Sequence, residues 1–176
     1  LIERVVDQVR RRVFDGETVP ASEKVVSLFE PHTDIIIKGG REVEYGHKVT
    51  LSTGKSGLVL DAVIETGNPP DTTCFLPMLH RHIAQYGKPP VSLAADGGYA
   101  QQDNLVQAKQ LDVQHVAFHK KKGLTIEAMT GERWLYYKLK RFRAGIEAGI
   151  SYLKRCFGLS RCNWKGLAHY RAYVWS

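Results

Sequence analysis

The chain has 176 residues, 43% of them hydrophobic, and its 25 lysines and arginines outnumber 18 aspartates and glutamates for a net charge of +7. That length supports one packed domain or the core of a larger one; no run approaches the length of a membrane span, and no signal peptide is visible. The basic excess favours a polyanionic partner, while Cys74, Cys156 and Cys162 are too few and too unevenly spaced for a disulfide framework.

Residues 1–14 are predicted to be helical, with Ile2, Val5, Val6, Val9 and Val13 on one side and Asp15-Gly16 as the stop. Arg4 and Arg10 to Arg12 give this helix a basic surface. Residues 17–22 read as linker. Residues 24–29 and 34–38 are short β-rich runs separated by Pro31, which marks a bend. Gly39-Gly40-Arg41 supplies a hairpin turn, residues 46–53 the next strand, Gly54-Lys55-Ser56-Gly57 a second turn, and residues 58–65 a third strand. The expectation is a three-stranded antiparallel meander.

Gly67-Asn68-Pro69-Pro70 breaks that pattern. Asp71 or Thr72 is expected to cap a helix to about Tyr86, with Phe75, Leu76, Leu79 and Ile83 inward. Residues 91–95 form a wholly apolar run, of the kind buried on both faces of a sheet, and Asp96-Gly97-Gly98-Tyr99 follows directly. Residues 104–111 read as helix, 113–118 as the last strand, and His119-Lys120-Lys121-Lys122-Gly123 as a basic loop. The longest helix spans residues 132–157, with Leu135, Leu139, Phe142, Ile146, Ile150, Leu153 and Phe157 in one stripe. Residues 164–176 begin another helix. The order β-β-β-α-β-α-β-α is an α/β (α+β) arrangement: an N-terminal helix and linker over 1–22, a core over 23–160, and the start of a C-terminal helix over 161–176. The leading Leu1 and the apolar last residues are expected of a piece of a longer protein.

Asp96 is the first candidate for chemistry. It ends a strand, where α/β sheets present ligands, and the glycines after it let the backbone turn sharply. The alternative is a plain Asp-Gly turn. Arg143, Glu147 and Lys154 share one side of the long helix by their spacing, which an ordinary surface ion pair also explains. Gly145 and Gly149 weaken that helix by roughly 1 kcal/mol each relative to Ala, so a close approach is expected there. Cys156, Cys162 and His169 match no common zinc-finger spacing, and zinc is not expected.

The spacing Arg143-x3-Glu147-x6-Lys154 resembles the motif that carries the last glutamate of DDE transposases from bacterial insertion sequences. The wider wording, Phe142-Arg143-Ala144-Gly145-Ile146-Glu147-Ala148-Gly149-Ile150-Ser151 and then Leu153-Lys154-Arg155-Cys156-Phe157-Gly158-Leu159, is similar to the "not classified yet" group of them. The likeness runs from about Pro20 to Ser176. The Tyr that precedes the Arg in that motif is here Lys140, with Tyr136 and Tyr137 one turn earlier.

The resemblance implies a ribonuclease H-like fold: a mixed sheet of three antiparallel strands followed by crossover helices and two further strands. It implies three carboxylates holding two Mg²⁺ ions, for which Mn²⁺ can substitute. Asp96 and Glu147 are two of them. The first is Asp34 or Glu30, with Asp34 favoured for residue type, and Asp61 and Asp71 stand outside. Arg143 and Lys154 are assigned by the motif to DNA near the site, and Lys120, Lys121, Lys122, Lys140 and Arg141 by their placement. Trp134 and Tyr137 read as core residues, with stacking on unpaired bases as the alternative. The implied activity is nicking of DNA at transposon ends and transfer of the 3′ ends to target DNA, by a dimer or higher oligomer in the bacterial cytoplasm. Two other readings stand beside it: a nuclease of the same fold that only hydrolyses, and an inactive DNA-binding module.

Overall fold

The computed structural model describes residues 1–38, 42–119 and 122–176. The chain forms two compact units, one of Leu1–Val49 with Ile64–Asn68 and Arg161–Ser176, the other of Thr50–Val63 with Pro69–Ser160.

In the first unit, α1 (Ile2–Val13) has no buried residue, and Ile2, Val6, Val9 and Val13 all face solvent. Its basic surface folds back on the segment that follows. Arg11 donates to Glu17 at 2.6 and 2.9 Å and to Glu23 at 2.6 Å, so its charge is internally balanced. The expected linker also holds Val19, only 2% exposed. The run 24–29 forms no strand. The sheet here is a hairpin of β1 (Asp34–Lys38) with β2 (Glu42–Gly46), antiparallel with Ile36 opposite Glu44. The predicted turn Gly39-Gly40-Arg41 lies outside the described residues. The predicted strand 46–53 is split, because Gly46 takes φ +151°, a conformation other residues rarely adopt. The chain resumes as β3 (Val49–Thr53), which pairs with β4 (Val59–Ile64), and all of this hairpin but Val49 and Ile64 belongs to the second unit. Hydrogen bonds from Gly54 N to Leu58 O and from Glu65 N to Lys48 O close this second hairpin at both ends. Among the described residues there are therefore two hairpins in place of the expected three-stranded meander. α6 (Leu167–Trp175) belongs to the first unit.

The second unit holds the main core. α2 (Asp71–Tyr86) begins one residue earlier than a side-chain cap would place it. Pro70 is the capping residue, its carbonyl takes Thr73 Oγ1, and Asp71 stands in the first turn. Gly87, at φ +70°, ends the helix. β5 (Ser92–Ala95) and β6 (His115–Phe118) pair in parallel, with Ala95 beside Phe118, and α3 (Gln102–Gln110) connects them. β6 is the buried strand, through Val116, Ala117 and Phe118, whereas Leu93, Ala94 and Ala95 of β5 are half-buried and not enclosed as expected. A short helix absent from the expectations, α4 (Ile126–Thr130), is capped by Thr125 Oγ1 accepting from Ala128 N at 3.1 Å. The long helix is α5 (Arg133–Cys156). Phe75, Leu79, Leu105, Val116, Phe118, Met129 and Tyr136 form one continuous core cluster.

Gly145 and Gly149 lie on the open side of α5. Nothing among the described residues comes within 4 Å of a side chain built at either, so the expected close approach is not made by those residues.

Candidate active site

Asp96 leaves β5 at its carboxyl end. Its Oδ1 accepts from Gly97 N at 2.6 Å, which caps a single 3-10 turn, Gly97–Tyr99. This turn is tied down from two sides. Asn104, buried at the start of α3, donates through Nδ2 to Tyr99 O at 3.0 Å and to Thr72 O at 2.8 Å. Tyr99 packs its ring against Phe75 of α2. Burial, and after it the negative charge of Asp71, push the Tyr99 hydroxyl up to about 12. The Asp96 carboxylate stays accessible, its side chain 51% exposed.

Glu147 comes from α5, which is seated on the sheet by Tyr136. The buried Tyr136 hydroxyl donates to Phe118 O at 3.0 Å, and Leu139 packs one turn later. With that face inward, Arg143 points at the strand ends and Glu147 follows on the same side. Arg143 Nη2 lies 3.3 Å from Asp96 Oδ2, and its Nη1 lies 2.9 Å from Glu147 Oε1. One guanidinium thus joins two carboxylates 51 residues apart in sequence, and its side chain is only 13% exposed.

Two exposed carboxylates brought to one positive group form an anionic edge suited to a hard divalent cation. Their oxygens are the donors Mg²⁺ prefers, and the waters it retains complete its shell. Among the described residues no three His, Cys, Asp or Glu side chains gather closely enough to hold an ion.

The model of the transposase DDE domain family matches residues 10–176. This chain belongs to that family. No curated protein and no solved structure matches it. The family implies a ribonuclease H-like fold, and the α+β architecture with its parallel β5–β6 pair is of that class. It also implies a transposase function, divalent metal ions and DNA as partner. Among the described residues no helix is long and apolar enough to cross a membrane.

The other predicted site residues of this transposase domain fall in several places. Asp34 and Glu30 belong to the first unit and end one hydrogen-bonded chain. Glu30 Oε2 meets His32 Nε2 at 2.7 Å, His32 Nδ1 meets His47 Nε2 at 2.7 Å, and His47 Nδ1 meets Asp34 Oδ2 at 3.0 Å. Gly67 N donates to Asp34 at 2.9 Å, and Gly166 N donates to Glu30 at 2.9 and 3.1 Å. The Gly166 amide, then His32, hold the Glu30 carboxyl below its usual range. Among the described residues β1 pairs with β2 and β5 with β6. Nothing in the sequence pattern marked His32 and His47 as a stacked pair, since 15 residues separate them.

Lys122, Arg141 and Lys154 are exposed and Lys140 is half-buried, while Lys120 and Lys121 lie outside the described residues. Trp134 and Tyr137 are 60% and 44% exposed, so they are not the core residues expected, and Lys138 lies over the Trp134 ring. Asp61 is explained structurally. Buried on β4, it accepts from Arg81 at 2.6 and 2.8 Å, and that guanidinium holds its carboxyl below the usual range.

Proposed function

We propose that this transposase domain nicks DNA at the ends of an insertion sequence of the "not classified yet" type and joins the freed 3′ ends to target DNA. The observation that carries the reading is the Arg143 bridge, which brings Asp96 and Glu147 together from a strand end and a distant helix. Paired divalent ions, when bound, activate a water or 3′ hydroxyl and neutralise charge on the phosphorus and the leaving oxygen. The chain's own part is to hold them through Asp96 and Glu147, with Asp34 as the third carboxylate and Glu30 as its alternative. Arg143 aligns the two carboxylates and is the cation nearest the reacting phosphate. Lys154, Lys122, Lys140 and Arg141, with Lys120 and Lys121, meet the DNA backbone. Residues 23–160 form the catalytic core, acting as a dimer or larger assembly on DNA in the bacterial nucleoid.

The test is cleavage of transposon-end DNA in Mg²⁺ or Mn²⁺. Asp96→Asn and Glu147→Gln are each expected to lose at least about 100-fold in rate while still binding DNA. Asp34→Asn is expected to do the same and Glu30→Gln to cleave normally. Wild-type rates in both the Asp96 and Glu147 variants would overturn the assignment. Joined products in a strand-transfer assay separate this activity from hydrolysis alone.

A further inference from the structure

The sequence presents Asp71 as a helix cap, yet its side chain lies against the turn that carries Asp96. A Cβ placed on Gly98 would overlap Asp71 Oδ2 and sit 3.0 Å from its Cγ and 3.1 Å from its Cβ. Turning the carboxylate aside would relieve the first contact but not the last, which is fixed by the helix backbone. Position 98 is therefore glycine because Asp71 fills the space where any side chain would go. The backbone on either side of this contact is fixed by Asn104, which spans Thr72 O and Tyr99 O. Pro70 already caps the helix, so Asp71 is not needed as the cap.

We propose that Asp71 is a positioning residue for Asp96, holding the Asp96–Gly97–Gly98 turn so that the Asp96 carboxylate faces Glu147 and Arg143. This inference rests on the reading of Asp96 as a metal-binding carboxylate. Asp71 acts through the turn, and no contact with an ion is assigned to it. Outer partners that aim a ligand change metal affinity by about 10–100-fold when removed.

The experiment measures Mn²⁺ binding to the full chain by electron paramagnetic resonance, with thermal unfolding as a control and cleavage as a second readout. Asp71→Ala and Gly98→Ala are each expected to weaken Mn²⁺ binding about tenfold with the melting temperature nearly unchanged. The double variant is expected to be no weaker than Asp71→Ala, because removing the carboxylate clears the two closest contacts and leaves only the 3.1 Å contact with Cβ, which a shift of a few tenths of an ångström relieves. Should Asp71→Ala fail to fold, Asp71→Ser keeps a residue suited to a helix start and loses the Oδ2 contact with position 98. Unchanged Mn²⁺ affinity in the folded single variants, or losses that add in the double, would overturn the proposal. Asp96→Ala separates the two levels. If it leaves Mn²⁺ binding intact, the metal-site reading itself fails; if it abolishes binding while the Asp71 and Gly98 variants do not weaken it, only the positioning role fails.

Discussion

At the scale of single residues, carboxylates of the same type are separated by their partners. Asp96 and Glu147 are exposed and share Arg143, whereas Asp61 is buried and locked to Arg81. A buried carboxylate left without its partner is costly, so Arg81→Ala is expected to destabilise the fold by about 1–3 kcal/mol near neutral pH. The sign of the pH dependence follows from the lowered Asp61 value. Its contribution is fully present above the unfolded-state carboxyl range, near pH 4, and is lost as pH falls through the lower folded value. Urea unfolding of wild type and variant at neutral and strongly acid pH is the check. The gap between them should narrow below about pH 4, and a constant gap would show that Asp61 is not the group responsible.

At the scale of elements, α5 does two jobs on two faces. Tyr136 and Leu139 hold it against β6, and Arg143 and Glu147 lie toward the strand ends. Trp134, Tyr137 and Arg141 occupy its open surface. Gly145 and Gly149 weaken this helix without a neighbour from the described chain to require them. Changing both to Ala is expected to stabilise the domain by up to about 1 kcal/mol for each glycine. If DNA is what approaches there, the same double variant binds transposon-end DNA more weakly. Chemical denaturation and DNA titration on one sample read both effects. Loss of stability in the variant would mean that the open space is illusory.

At the scale of the whole molecule, a charge of +7 does not say where DNA lies, because several cations are already engaged. Arg11 is held by Glu17 and Glu23, and Arg143 by Asp96 and Glu147. Lys154 is exposed on the same helix. Lys154→Ala is therefore expected to lower the salt slope of DNA binding by about one unit, equally for all sequences. Arg143→Ala is expected to change the slope less and to reduce cleavage more. Titrations from low to moderate salt, paired with cleavage rates, make the comparison. A larger slope change for Arg143→Ala would show that its guanidinium leaves the carboxylates for a phosphate.

The sequence by itself determined the helices other than α4, the strand that ends at Asp96 and the pairing of Arg143 with Glu147. These depend on local periodicity, on glycines after a strand, and on spacing of four within one helix. It also carried the transposase likeness, through the residues from Phe142 to Leu159. Only the tertiary structure decided which distant groups meet. That Arg143 reaches Asp96, that Asp71 lies on Gly98, and that His32 stacks on His47 depend on how elements pack, and no short-range pattern encodes it. The same reason explains the misread strands. Residues 24–29 have strand-forming side chains but pair with no strand among the described residues, Val25 N donating instead to Gln8, and the run 46–53 is broken by the backbone of Gly46. A strand is completed by its partner, and the partner is a property of the fold.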